Sequence, residues 1–460
     1  MPNFIQKGIQ DAVIWAFGAK DKYEIDYQNR LKEITELIAY YYGQHKRPLK
    51  LQAGKDYNVI SNHIKTIVDR SVSSLVGQEV TFDLPGEGDS PEQQFIDGVW
   101  KANKKQILLH DVAQFGTIYG TEFIKIVPRG IVDNTGTITY RLVALNPLNV
   151  IIVTANDDID NVLAYVYRWN EGDTHRREVT EKTELGTWTV VTQEMDRAGK
   201  WQNVAPPIAW PYPFAPIVHG KNLPNAGNVY GYSDIEGIIE LQDRYNEGQS
   251  NENKILALQA FAQKYVVNGK WPRAKDEFGN EYIDVGPDKA LEIKGDGVTN
   301  ASVGLLEPAG DMTASQAFLN SVRRDMFEIA ATVDSETVKD KVGTLTNFGL
   351  RVLFKNELAK NNTKQLLYGE FLLDVNLRLL VLEGMNPDSG DVIFGDPLPE
   401  DTKEVIENLT AENALGITSK QTIAKELGRD WEVEQERLAQ EKQTSDNVGA
   451  NAIRNFLAGK

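Results

Sequence analysis

Apolar residues recur at helical spacing over two long stretches of this chain, and in both the pattern breaks partway along. The first runs from Ser233 to about Phe261. Ser233 and Glu236 have the spacing of a capping box, and Ile235, Ile238, Ile239, Leu241 and Tyr245 mark an apolar face. Asn246-Glu247-Gly248-Gln249-Ser250-Asn251-Glu252-Asn253-Lys254 is then polar on every side, before Ile255, Leu256, Leu258 and Phe261 resume the face. A helix polar all round fits a globular interior poorly. It suits one that crosses between bodies, packs against copies of itself or lines water. The second stretch, from about Leu345 to Leu382, carries Leu350, Leu353, Phe354, Leu358, Leu366, Phe371, Val375 and Leu379. Lys360-Asn361-Asn362-Thr363-Lys364 interrupts it, and Gly369 offers a place to bend. At about 1.5 Å per residue such helices reach roughly 40–55 Å, which predicts an elongated molecule or a ring wall.

Shorter elements fill the rest. Residues 4–17 read as an amphipathic helix that docks on the body or on a neighbour, being short and poor in cations for a membrane surface. Helices are predicted over 25–43, 61–75 (with Gly77 as its stop), 92–103 and 107–119. Strands follow at 122–127 and 137–145, around the turn 133–136, and at 150–153 and 162–169, around an acidic turn. Two more lie at 177–180 and 187–192, and the proline-rich run 206–216 reads as an irregular connector. Residues 1–231 therefore predict one α+β body. Beyond the first long helix, 265–268 and 281–285 predict short strands around the turn 275–280, and 286–310 is rich in glycine. This module is too small for a large core of its own. Thr313 and Gln316 suggest a capping box for a helix through Ala331, with a charged loop at 334–343. Residues 392–394 form a lone strand that must return to an existing sheet. Helices close the chain at 402–415, 419–427 (capped by Thr418 and Gln421) and 431–443.

Composition narrows the class. With 460 residues and 41% hydrophobic content, two to four domains with real cores are expected. No apolar run is long enough for a membrane span, and the first residues do not read as a signal peptide. The absence of cysteine excludes disulfides and thiolate chemistry. A net charge of −17 disfavours tight binding to phosphate backbones, but it is compatible with a surface that DNA slides past.

Searching for chemistry yields little. There is no phosphate-binding G-x-x-x-x-G-K-[ST], no G-x-S-x-G and no H-E-x-x-H. His45, His63, His110, His175 and His219 show no metal-ligand spacing and read as surface or packed histidines. Asn156, Asp158 and Asp160 echo a calcium loop, but Asn161 stands where glycine is needed and Tyr167 where glutamate is, so a solvated hairpin tip is the better reading. Asp334, Glu336, Lys339, Asp340 and Lys341 could suggest a nuclease-like cluster. They lie between helices, without the strand such sites use, and read instead as a mobile charged loop. No cofactor, metal or catalytic residue is expected.

The order of short motifs carries more. These are Tyr41-Tyr42-Gly43-Gln44-His45, then Ile67-Val68-Asp69 with Leu75-Val76-Gly77, Tyr119-Gly120 before a strand, and Asn146-Pro147 before Val150-Ile151. Next come Ser233-Asp234-Ile235-Glu236, Asp243-Arg244-Tyr245-Asn246 and Asn251-Glu252. Gly343-Thr344-Leu345-Thr346-Asn347-Phe348-Gly349-Leu350 and Leu398-Pro399-Glu400-Asp401 follow. In this order and spacing the chain resembles the tailed-bacteriophage portal proteins, in particular the siphovirus type of Bacillus phages. The resemblance implies a multi-domain portal fold, with an α/β wing, a helical stem, a small α/β clip and a helical crown, assembled as a ring. The ring is usually of twelve subunits, with thirteen possible in isolation. It implies a wing over 1–232, a stem helix over 233–264, a clip over 265–310 and a second stem helix over 311–333. A tunnel loop would span 334–344, a long kinked helix with a wing return strand 345–398, and a crown 399–460.

The same resemblance implies DNA-facing loop residues Asp334, Ser335, Glu336, Thr337, Lys339, Asp340 and Lys341. It implies a stem polar belt of Asn246, Glu247, Asn251, Glu252 and Lys254, and clip residues Lys270, Arg273, Lys275, Asp276, Glu277 and Tyr282. The implied partners are the terminase large subunit, major capsid and scaffolding proteins, a head-completion adaptor, and double-stranded DNA without sequence specificity. No membrane is implied. The crown is short for the family, and two lysines in the loop make part of the DNA-facing surface attractive. A metal-dependent nucleic-acid enzyme subunit and a non-portal ring adaptor of a virion stand as the alternatives.

Overall fold

A computed structural model describes residues 23–51, 55–86, 90–132, 136, 138–259, 263–270, 273–283, 294–295, 302–306, 312–339, 347–398, 402–429 and 431–440. The helix expected at 4–17 and the loop residues Asp340 and Lys341 lie outside them. The chain forms two compact units, residues 1–343 with 352–397, and residues 344–351 with 398–460.

The first unit is built on helices α1 (Glu24–Tyr41), α2 (His63–Val76), α3 (Pro91–Ala102) and α4 (Lys105–Tyr119). Local chemistry sets their starts. The Asn62 side chain accepts from Lys65 N to cap α2, and Ser90 accepts from Gln93 N ahead of Pro91 in α3. Ile64, Ile67, Val68, Val72 and Leu75 bury one stripe of α2 in the main core. The long helix α9 (Lys355–Glu383) supplies Tyr368, Phe371, Leu372, Val375 and Leu379 to the same core. Burying each such aliphatic side chain stabilises by about 1.5–3 kcal/mol. The Trp100 indole donates to Asn376 Oδ1 at 2.7 Å, and Arg378 donates to the carbonyls of Ala215 and Ile217, so polar groups fix the C-terminal part of the contact.

Two antiparallel sheets stack beside this core. β2 (Thr121–Val132), β3 (Ile138–Ala144) and β10 (Ile217–Lys221) pair in the order β10-β2-β3. β4 (Val150–Thr154), β5 (Val162–Glu171), β6 (Thr174–Lys182), β7 (Trp188–Met195) and β8 (Trp201–Asn203) follow in sequence order, and β9 (Ile208–Trp210) pairs with β7. Alternation gives the larger sheet two apolar faces. Ile152, Tyr165 and Trp188 meet Phe123 and Ile217 of the smaller sheet, while Ile151, Ala164, Val166 and Val179 meet Tyr23 and Tyr27 at the start of α1. β9 corrects the connector reading of 206–216. Three residues between prolines suffice for an edge strand, with Trp210 opposite Trp188.

The chain crosses itself where Gly120 meets Gly231. Asn222 N donates to Gly120 O at 3.0 Å and Gly231 N to Thr121 Oγ1 at 3.1 Å. Gly120 has φ +80°, and a methyl at Gly231 would stand 2.3 Å from Gly120 O. Gly231→Ala is therefore expected to lower stability by about 1–3 kcal/mol in urea unfolding, since backbone blocks the methyl.

Past this crossing lie α5 (Ile239–Gln259) and α6 (Met312–Ile329), which pack on each other with Leu319 filling the gap at Gly248. The capping boxes do not form as expected. Ser233 Oγ donates to Ile118 O at 2.7 Å, a 3-10 turn over Glu236–Ile238 precedes α5, and α6 already includes Thr313. α5 has 21 residues, which gives about 32 Å rather than the longer reach expected.

Among the described residues between α5 and α6 are three two-stranded ribbons. β11 (Gln263–Val267) pairs with β16 (Ser302–Leu306), β12 (Gly269–Lys270) with β15 (Lys294–Gly295), and β13 (Arg273–Lys275) with β14 (Glu281–Ile283). The glycine-rich stretch thus contributes two return strands that its composition hid.

A short helix, α7 (Ser335–Val338), occupies the predicted charged loop, and α8 (Asn347–Leu353) precedes α9. The second long helix is interrupted at Phe354 (ψ 5°), not at Gly369, which lies inside continuous α9. Among the described residues β17 (Asp391–Phe394) pairs with β1 (Val80–Asp83) in a two-stranded ribbon and with neither larger sheet.

The second unit contains α10 (Thr402–Ala414), α11 (Lys420–Glu426) and a helix over 431–440. Ser419, accepting from Thr422 N, caps α11 in place of Thr418, whose hydroxyl donates to Glu412. No helix among the described residues is long and apolar enough to cross a membrane.

Candidate functional site

The polar belt of α5 has an intramolecular use. Gln242, Asn246 and Ser250 lie at i, i+4, i+8 on one face, and all are fully buried. They bind the backbone of the extended segment 57–63 as a ladder. His63 N donates to Gln242 Oε1 (3.1 Å), Ser61 N to Asn246 Oδ1 (3.0 Å) and Val59 N to Ser250 Oγ (3.0 Å). Gln242 Nε2 donates to Ser61 O (2.7 Å) and Asn253 Nδ2 to Tyr57 O (2.9 Å). Asn246 is also hydrogen-bonded to His45 Nδ1 at 2.8 Å. Polarity on every side was read as unsuited to an interior. Here one polar face is buried, because a segment without regular structure must satisfy its own amides, and polar side chains on that face do so. Of the other belt residues, Glu247 pairs with Arg244, Glu252 and Lys254 are half-buried, and Asn251 is exposed.

Below the helix pair sits a buried ionic joint. Asp234, just before α5, lies 2.8 Å from Lys364 Nζ and 3.0 Å from Lys360 Nζ of α9. Ser71 of α2 and Asn222 donate to the same carboxylate. Burial alone would raise the Asp234 carboxyl, but Lys364 and then Lys360 override it and hold it well below the usual carboxylate range. Burial pulls Lys364 down to about 8, with Asp234 pulling the other way. Lys364 spends its remaining donors on Ser71 Oγ (2.8 Å) and Thr117 Oγ1 (3.2 Å).

The same joint holds the end of α6 and the start of the loop. Lys360 Nζ donates to Ala330 O (2.6 Å) and Thr332 Oγ1 (3.2 Å). Glu357 Oε2 accepts from Val333 N (2.8 Å), and Arg70 of α2 donates to Val333 O. A pocket of 310 Å³ opens beside this grip, lined by Arg70, Ser73, Val333, Val338, Phe354 and Glu357 among others. His63 packs between Tyr245 and Phe327. Burial, aided by Arg323, lowers its imidazole to about 4, so it is a neutral packed ring.

The loop residues divide. Asp334 is buried, caps α7 by accepting from Glu336 N, and pairs with Arg323 at 2.8 Å. Ser335, Glu336 and Lys339 are exposed, and the side chain of Thr337 lies outside the described set. Among the described residues no cluster of His, Asp or Glu could hold a metal ion.

In the ribbon module the turn between β13 and β14 is organised by Asp276, whose carboxylate accepts from Phe278 N (3.0 Å) and Asn280 N (2.7 Å). Those bonds hold its carboxyl below the usual range. Arg273 pairs with Glu281, Lys275, Glu277 and Tyr282 are exposed, and Phe278 is 89% exposed at the tip. The Lys270 side chain lies outside the described set.

The family described as phage portal protein, SPP1 Gp6-like, matches residues 20–448. The chain belongs to this phage portal family. Similar solved structures include a chain from the neck of an empty gene transfer agent (GTA) particle computed with C6 symmetry. It is 13% identical, with a TM-score of 0.47, covering 87% of this chain and 94% of that one. Chains from the neck of a native GTA particle computed with C12 symmetry and from the virion of a native GTA particle each show 12% identity and a TM-score of 0.44. They cover 86% of this chain and 99% of theirs. No curated protein matches the sequence.

Within this portal-family chain, sequence reasoning marked Asn246 and the Lys360–Lys364 belt but missed their partners. Gln242 and Glu122 carry a weaker signal, since each is a single polar residue beside apolar ones, while Ser250 and Asp234 stand in the polar run and in a motif without their partners being legible there. The useful clue was the pair of lysines four apart on an apolar helix, which is costly unless an acid answers it.

Proposed function

We propose that this portal-family chain assembles into a ring of about twelve subunits that forms the channel for double-stranded DNA at one capsid vertex. The match to the portal family over residues 20–448 carries this reading. DNA enters through the ring during packaging and leaves through it at ejection. The chain acts as a structural conduit, with a separate terminase supplying the force. Residues 1–232 are the wing, 233–264 and 311–333 the stem, 265–310 the clip, 334–344 the tunnel loop, 345–398 the long helix and return strand, and 399–460 the crown. The clip docks the terminase large subunit and later a head-completion adaptor, while the wing and crown meet capsid and scaffolding proteins. The chain therefore resides in the virion. The acidic balance supports a low-friction channel, and the ionic joint supports a stem and loop held in fixed relation to α9.

Particles assembled without this chain are expected to be closed shells lacking DNA, and DNA-filled particles would contradict the reading. Replacing Lys339 and Lys341 with Glu is expected to reduce DNA per particle while ring size by native mass spectrometry is unchanged. Normal packaging by that variant would remove charge from the role of the loop.

A further inference from the structure

One buried acid takes no part in the joint's ion pairs. Glu122 of β2 lies opposite Gly220 of β10 and is fully buried, and among the described residues its carboxyl has no salt bridge and only the Tyr368 hydroxyl beside it as a hydrogen-bond partner. Its slot is fitted. A methyl on Gly116 of α4 would stand 2.5 Å from Oε2 and 1.9 Å from the Tyr368 hydroxyl. One on Gly220 would stand 2.3 Å from Oε1 and 3.0 Å from the Phe371 ring. The charged and titratable groups facing it are Lys364 and Tyr368, both from α9. Asp234 faces those two groups from beyond, and α4 and β10 wall the slot with Gly116 and Gly220.

Lys364 cannot serve as its donor, because its three N–H groups already go to Asp234, Ser71 and Thr117. The Tyr368 hydroxyl is directed at Asn222 Oδ1, at 3.4 Å. An anion here would be buried with one shared hydroxyl, that of Tyr368, as its donor, whereas a neutral acid can give its own proton to the Tyr368 oxygen.

We propose that Glu122 is a proton-operated joint, neutral while α9 is seated on the β2–β10 pair, whose ionisation loosens that seat. Burial pushes its carboxyl up to about 8, with Lys364 pulling the other way, which places the change near neutral pH. Folding then takes up a proton between the unfolded value of 4.5 and about 8, so stability falls as pH rises through that window. The inference does not depend on ring assembly.

The test compares the full chain with Glu122→Gln. The unfolding equilibrium of the parent is expected to move toward the unfolded state by about tenfold per pH unit relative to the variant across the window. Parallel pH profiles would overturn the proposal. A second measurement needs no variant: infrared spectroscopy of the parent protein labelled with carbon-13 glutamate. A protonated-carboxyl band is expected at neutral pH and should vanish as pH passes about 8. Hydrogen exchange across residues 364–375, corrected for its intrinsic pH dependence, should rise with the loss of that band. Absence of the band at neutral pH, or loss of the band without faster exchange, would overturn it.

Discussion

Asp234→Ala is expected to destabilise the chain by about 3–5 kcal/mol, read as a fall in the urea midpoint. Lys364 is fully buried and Lys360 nearly so, and removing the shared carboxylate leaves both uncompensated. Losing the pair together is milder than losing one side. Asp234→Ala combined with Lys364→Met is therefore expected to recover more than half of the loss, a coupling that a double-mutant cycle reads directly. A loss below about 1 kcal/mol for the single variant would mean that the joint is not held by charge. The pH dependence has a definite sign. The Asp234 carboxyl is held below its unfolded value of 3.8, so its contribution is full above that value and lost as pH falls below it.

The second large effect is expected at the ladder. Asn246→Leu removes the acceptor of Ser61 N and the partner of Gln242 and His45, all in a buried setting. Leaving such groups unpaired costs about 1–3 kcal/mol each, so a total of about 3 kcal/mol is expected. The loss should be local first. Amide hydrogens of Val59, Ser61 and His63 should exchange faster, while those of α2 interior residues keep their protection. Asn251→Leu, on the exposed side of the same helix, should change stability by less than about 0.5 kcal/mol. Equal effects of the two substitutions would show that the helix is not tied to the 57–63 segment through its side chains.

These two sites show what the sequence carried and what it did not. Periodicity placed α2, α3, α4 and the strands β3 to β7 to within a few residues, because each buries a stripe or face. It failed where stability comes from partners distant in sequence. Ser233 matches a capping box, yet its hydroxyl goes to Ile118 O, 115 positions away. It failed nearer by as well: Asp334 reads as an exposed loop acid, yet Arg323, eleven positions back, and the α7 cap engage it. Polar residues on a helix look solvated until a neighbouring backbone is known, which is why Asn246 and Ser250 stand out only as part of a polar run and Gln242 does not stand out at all. Gly369 was a reasonable bend by composition, but the helix breaks at Phe354 instead. The ribbon strands at 294–295 and 302–306 are too short to alternate visibly.

The most direct test of the conduit reading is native mass spectrometry of the purified full chain across protein and salt concentrations, with class averages from negative-stain images. A closed ring of about twelve subunits, or the neighbouring closure of thirteen, around an open centre is the expected result. A monomer or dimer that persists at every concentration and salt would contradict it.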